Sequence, residues 1–310
     1  MLPSLTKRLS LAPAVSAGIA IGRNQVCAVV LDAAGGKHEV RAIHTQDLSV
    51  PLFAAQPTIE TEAMLVDALL AVIGEFRDLF ASVHVALPDT LIRSTVFELD
   101  ELPNSAAMRE SLLRWRFAKE WQLREDSLDC HGFDLGEDQG KHLYLGQAGD
   151  RLWLACVRRA LARAGIVPWS LNAAAVCRFN YFHDAIVGSG GALLSLDPDC
   201  WNLQLWDDQG RVRQLHTRLR ENLAAGDEAA SIADEAERVI LAYVQANTSR
   251  AVGKLYLAGR DEEMAIFAAE FDKRLSERSV VLHSDNGIPA SVAGIRNGFA
   301  PLALAAALNI

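Results

Sequence analysis

The side chains best able to do acid-base, nucleophilic or metal chemistry in this sequence are its histidines and cysteines, and their spacing organises none of these. His38, His44, His84, His131, His142, His183, His216 and His283 share no helical face, so neither a zinc-binding helix nor a nucleophilic serine turn can be drawn from them. Cys27, Cys130, Cys156, Cys177 and Cys200 are odd in number and lack any CxxC spacing. They read as small buried hydrophobes of a protein kept in a reducing compartment, with no metal site implied. A third constellation is Arg114-Trp115-Arg116-Phe117-Ala118-Lys119-Glu120-Trp121, where basic and aromatic residues alternate as a single-stranded nucleic-acid platform requires. At helical spacing its aromatics fall on the buried side with charges flanking them. Core packing beneath a snorkelling basic rim is therefore the favoured reading, ahead of a partner groove beside the helix and of nucleic acid.

Charge points the same way. Lys plus Arg number 30 and Asp plus Glu 39 among 310 residues, a formal charge of −9, so the basic footprint that a phosphate backbone demands is missing. Half of the residues are apolar and 22% are charged, the profile of a folded protein with a sizeable core. The length fits two domains or one subdivided one. No apolar run reaches the length of a membrane span. Lys7 and Arg8 precede an apolar stretch, 9–21, that Pro13 interrupts, and residues 1–16 read as a short basic leader on a cytoplasmic protein.

The elements that would position functional groups follow from periodicity. Ile19, Ile21 and residues 26–31, then 40–43 after Gly35-Gly36, predict an opening hairpin. Residues 61–80 carry a helical period and lead into a strand that stops at Pro88. A further strand at 91–99 precedes a helix capped by Ser105, with Met108, Leu112 and Trp115 in one stripe and Leu113, Phe117 and Trp121 in another. Strands are expected at 130–135, 142–147 and 151–157, the last running into a helix at 158–164 that Gly165 ends. Residues 169–171 read as extended and 173–185 as helical. After the linker Gly188-Ser189-Gly190-Gly191 come strands at 192–196, 201–206 and 211–216, a helix, a strand at 254–258, a helix at 264–275 and an Ala-rich helix at 299–308. Two halves thus each open with paired strands, which predicts a bilobal α/β protein with a cleft between its lobes.

Several of these segments carry a resemblance. Val83-His84-Val85-Ala86-Leu87-Pro88, Phe97-Glu98-Leu99 with Leu102-Pro103, Leu113-Arg114-Trp115, Glu120-Trp121-Gln122-Leu123, Leu128-Asp129, and 153–157 followed by 160–167 resemble the type IV pilus assembly family of PilM and MshI. The likeness runs from Gly18 over nearly the whole chain, with Gln122 where the family often has proline. It implies an actin-like fold related to FtsA, in which the basic leader at 1–16 is followed by a first lobe at 17–81 and 168–190. An SHS2-like insertion domain at 82–167, a second lobe at 191–289 and a C-terminal helix at 290–310 returning to the first lobe complete the expected division. It also implies a PilN-like inner-membrane partner whose N-terminal peptide docks at the insertion, on Arg114, Trp115 and a strand edge at Val85, Leu87 and Pro88. The pilus motor ATPase is a further implied partner, and the implied location is cytoplasmic and peripheral to the inner membrane.

An actin-like ATPase grips nucleotide between two glycine hairpins, each normally Asp-x-Gly, because backbone N–H groups must approach phosphate and a carboxylate must position metal or water. The first here reads Ala20-Ile21-Gly22-Arg23, and the second Ser195-Leu196-Asp197-Pro198-Asp199, with no glycine and a proline that lacks an N–H. The adenosine loop is reduced to Gly259 before Arg260. Gly22, Arg23, Asp197 and Gly259 are therefore the expected remnants of a nucleotide site that binds no cofactor or, at most, ATP weakly. The expected function is non-enzymatic, a platform component of pilus or secretion-system assembly. The alternative is an actin-like ATPase or sugar-kinase relative with a divergent nucleotide site.

Overall fold

The computed structural model describes residues 14–34, 37–76, 80–188, 190–220, 225–246, 252–274, 279–282 and 300–308. The chain runs β1 (Ala14–Ile21), β2 (Gln25–Ala34), β3 (Lys37–Asp47), α1 (Ile59–Ile73), β4 (Phe80–Leu87), β5 (Ile92–Leu99), α2 (Ala106–Trp121), β6 (Leu128–Asp138), β7 (Lys141–Asp150) and α3 (Arg151–Arg163). It continues through β8 (Ser170–Ala173), α4 (Ala174–Ile186), β9 (Gly191–Leu196), β10 (Cys200–Trp206), β11 (Val212–Leu219), α5 (Ala225–Ala246), β12 (Lys254–Ala258), α6 (Asp261–Asp272), β13 (Val280–Val281) and α7 (Ala300–Leu308). Most of the expected leader, Gly35-Gly36, Ser189 and residues 283–299 lie outside the described residues.

The two halves repeat one topology. Strand order is β3-β2-β1-β4-β8 in the first sheet and β11-β10-β9-β12-β13 in the second. In each, three antiparallel strands are extended by two parallel ones, so the predicted duplication is real at the level of strand order. Apolar residues of both strand faces are buried. Ile19, Val26, Val85 and Leu87 pack against α1 and α3, whereas Ala20, Cys27, Val29 and Ala86 face α4 and α7. The second sheet buries Leu194, Leu203 and Leu205 against α5 and α6. Trp206 and Tyr256 face the other way and stack at 5.9 Å between the lobes. All five cysteines are buried and unpaired with one another.

Sheet membership narrows the insertion. β4 lies between β1 and β8, so the strand placed at the start of the insertion belongs to the first lobe. α3, expected as a strand over 151–157, is a helix from Arg151, because the Asp150 carboxylate accepts the Trp153 N–H at 2.9 Å. Its buried residues Trp153, Leu154, Val157, Ala160 and Leu161 follow a helical spacing and join the first-lobe core. What remains is a small α/β unit of residues 92–150, the antiparallel sheet β5-β7-β6 covered by α2 through Leu113, Phe117, Phe97 and Tyr144. β1 begins at Ala14, within the residues expected as leader. Among the described residues no helix is long and apolar enough to cross a membrane.

Candidate functional site

The turns that close the hairpins of the two lobes face each other across a cleft of about 1200 Å³. Arg23 reaches it from the β1–β2 turn, Pro198 and Asp199 from the β9–β10 turn, Asp89 and Thr90 from the link between β4 and β5, and Arg260 from the link between β12 and α6. Arg93, Arg218 and Arg220 complete a border in which five arginines face Asp89, Asp199, Glu228 and Glu263. For a chain of net negative charge this is a locally basic cavity. Arg220 is engaged by Glu228 at 2.7 and 2.9 Å and donates to the Asp197 carbonyl at 3.0 Å, while Arg218 donates to Glu235 at 2.9 Å. Arg23 and Arg260 make no ion pair among the described residues, and the Arg23 charge favours the ionised form of Asp199 without pairing with it.

Behind the cleft lies a buried charge cluster. Arg178, the lone cation in the otherwise apolar first half of α4, reaches across to the second lobe and holds Asp197 through two contacts, at 2.5 and 3.3 Å. Both side chains are about one-tenth exposed. Asp89 is fully buried, and both of its oxygens accept the Ala175 N–H near the N-terminus of α4, at 3.1 and 3.2 Å. Burial, with the Asp197 charge added to it, pushes Asp89 up to about 8, so it carries its proton at neutral pH. Burial also raises Asp199, and Asp197 adds to that shift.

Asp89, Asp197 and Cys200 offer ligand atoms all within 4.8 Å of one another, the spacing of a metal site. Their chemistry does not suit one. Burial pushes the Cys200 thiol well up and keeps Asp89 protonated, and the charge of Asp197 is already met by the Arg178 guanidinium. A fixed cation of the protein stands beside the carboxylate that would otherwise orient a metal ion.

The nucleotide remnants expected from the sequence divide accordingly. Arg23 is exposed and lines the cleft. Gly22 closes its own turn, since its N–H donates to the Gln25 carbonyl at 2.8 Å and is not free for a phosphate. Asp197 turns away from the cleft toward Arg178. Gly259 is a packing glycine, because a Cβ there would stand 2.7 Å from Met264 Cε and 3.2 Å from Leu196 Cβ. Ala20, in place of the first hairpin's carboxylate, is wholly buried among apolar residues between the lobes. Sequence reasoning missed Asp89 and Arg178. A single arginine among Ala174, Ala175, Val176, Cys177 and Phe179 was the signal available.

The expected partner residues also separate. α2 follows its Ser105 cap as predicted, and Arg114 pairs with Glu110 one turn earlier. Only one of its two apolar stripes is buried. Leu113 and Phe117 enter the insertion core, whereas Met108 is 61% exposed and Trp115 47% exposed, with the Lys119 ammonium 5.2 Å above the Trp115 ring. Trp115 is thus not the core residue that helical spacing suggested. Val85, Leu87 and Pro88 are corrected outright: they are buried, and β4 has paired strands on both sides, so this strand offers no edge to a peptide.

No family model and no curated protein matches the sequence. Solved structures do match its fold. The chain superposes on one from a PilM-PilN type IV pilus biogenesis complex with a TM-score of 0.74 at 15% identity, covering 95% of this chain and 98% of that one. A Bacteroides thetaiotaomicron protein described as having an actin-like ATPase fold and unknown function follows at 0.58 and 12% identity, covering 98% and 99%. The cytoplasmic domain of EpsL, an inner-membrane component of the Vibrio cholerae type II secretion system, gives 0.52 and 14%, covering 96% of each chain. At these identities the likeness is one of fold, and the fold is the bilobal actin-like one expected from the sequence.

Proposed function

We propose that this chain is a non-enzymatic assembly component of a type IV pilus or related secretion system, which binds the N-terminal cytoplasmic peptide of a PilN-like inner-membrane protein. The reading is carried by the full-length fold likeness to a chain from a PilM-PilN complex. Its location is cytoplasmic and peripheral to the inner membrane through that partner, and the pilus motor ATPase is a second partner. The likeness to an EpsL cytoplasmic domain supports the same class of role.

The cleft chemistry supports a protein without ATP turnover. Ala20 removes one metal-positioning carboxylate, Arg178 occupies the other, and Pro198 and the engaged Gly22 N–H take donors from the phosphates. The arginine border leaves room for weak, metal-independent binding of ATP.

The partner peptide docks on the exposed stripe of α2, where Met108 and Trp115 supply apolar anchors and Arg114 a charge. Titration of a fluorescent N-terminal peptide from a candidate partner should show saturable binding that Trp115→Ala weakens by about tenfold or more. Because Trp115 is half exposed, circular dichroism should show the variant folded, and Arg114→Glu tests the same face by charge. Phosphate release with magnesium and ATP should stay at background. Unchanged peptide affinity in both folded variants would move the partner site elsewhere, and magnesium-dependent turnover abolished by Gly22→Trp would overturn the non-enzymatic reading.

A further inference from the structure

One face of β10 holds a side chain with no hydrogen-bond partner among the described residues. Leu203 and Leu205 enter the core beneath α5 and α6, so the alternate residues Asn202, Gln204 and Trp206 face the first lobe and the insertion. Asn202 donates through Nδ2 to the Thr217 hydroxyl at 2.6 Å, and Trp206 packs on Phe179 with ring centres 5.5 Å apart. Between them Gln204 is 1% exposed, and neither its Oε1 nor its Nε2 has a hydrogen-bond partner among the described residues. A buried amide with both ends unpaired is costly, which makes it a pointer to something that completes it.

Gln204 lines a cavity of about 260 Å³ where three parts of the molecule meet. Leu135 and Leu145 come from the insertion, Val176 and Phe179 from α4, and Val212 and Leu215 from β11 of the second lobe. The other polar groups on the wall are Asn180, His183 and Arg211. Arg211 is committed, with contacts to Asp138 at 2.8 Å and Asp207 at 3.0 Å, so it offers no free charge to an anion. The cavity is larger than the roughly 150 Å³ that accepts a benzene ring. It is separate from the inter-lobe cleft, with which it shares no lining residue.

We propose that this cavity binds a compact, neutral small molecule made of an apolar ring or branched chain bearing a carboxamide. The apolar part fills the space between the leucines and Phe179. The carboxamide pairs head to tail with Gln204, accepting from Nε2–H and donating to Oε1, which satisfies both ends of the buried amide. A carboxylate can use only the donor and sets its charge against Oε1, and a plain hydrocarbon leaves the amide unpaired. Since all three parts of the protein supply walls, the ligand binds the assembled arrangement and stabilises it by mass action.

The test uses the full chain with benzamide, benzoate and toluene as probes, read by ligand-observed NMR and by thermal shift. Benzamide should bind saturably with a dissociation constant of about 1–10 mM, as expected for so small a ligand, and should raise the melting temperature. Benzoate should bind roughly tenfold more weakly or worse. Gln204→Leu should fold, lose the preference for benzamide over toluene and retain toluene. Val212→Phe fills the same space from the neighbouring strand β11 and should abolish binding of both, which decides the matter if Gln204→Leu proves unstable. Absence of saturable benzamide binding, as when ordered water alone satisfies Gln204, overturns the proposal. So does benzamide affinity that neither variant changes.

Discussion

Asp89 is an acid that folding keeps neutral. Its native pKa is pushed up to about 8 by burial and by the Asp197 charge, against about 4 in an unfolded chain. The native state therefore binds the proton more tightly. The stability this group contributes is fully present below about pH 4 and is lost as the pH rises toward 8, by about 1.4 kcal/mol per pH unit where only the unfolded form is ionised. Asp89→Asn keeps an oxygen to accept the Ala175 N–H and removes the ionisation. Melting curves between pH 5 and 8 should show wild type losing stability relative to this variant as the pH rises, with the variant the more stable at pH 8. A difference that does not change with pH would mean that Asp89 ionises normally. Asp89 was invisible in the sequence, where it is one of many aspartates and follows a strand-ending proline. Its pKa depends on Asp197, more than a hundred residues away and in the other lobe.

The elements show where local pattern suffices and where it misleads. The hairpins, α1, α2 and α4 were legible because apolar spacing and caps such as Ser105 act within a few residues. Residues 151–157 misled because a short apolar run has no period of its own, and Asp150 decided for helix. The nearly all-apolar α7 was expected to need burial, and it lies across β1, β2, β4 and α4. Gly18 makes that approach possible: a Cβ there would stand 1.7 Å from the Ala303 carbonyl oxygen and 2.3 Å from the Ala307 nitrogen, so helix backbone would have to move. Gly18→Ala should destabilise the protein by about 1–3 kcal/mol, the usual result of overpacking, measured by urea denaturation. An unchanged midpoint would show that α7 does not press on β1.

At the scale of the whole molecule, the insertion is tied to the second lobe as well as to the first. Asp138 at the end of β6 meets Arg211 and Arg213 of the β10–β11 hairpin at 2.8 and 2.7 Å, and Arg213 also holds buried Asp207 at 2.5 Å. Asp207 stays below the usual carboxylate range despite its burial, because the Arg211 N–H and both guanidinium groups favour its charge. Arg213→Met leaves Asp207 and Asp138 short of a cation in a buried setting, and should cost about 3–5 kcal/mol of stability. The double variant Arg213→Met with Asp207→Asn should recover part of that loss. Denaturant titrations of both single variants and of the double measure this, and a double cost equal to the sum of the two single costs would show that the two residues do not act as a pair.

The sequence by itself determined most of the strand and helix pattern, the duplicated halves, the absence of a basic footprint and the presence of Ala20 and Pro198 at the two facing hairpins. These are carried by residue type and by spacing over a few positions. Only the tertiary structure decided which apolar stripe of α2 is exposed, that β4 is an interior strand, that Arg178 neutralises Asp197, and that Gln204 faces a cavity with an unpaired amide. Each of these depends on what a residue distant in the chain brings alongside, and burial, charge pairing and hydrogen bonding act on that neighbour whatever its place in the sequence.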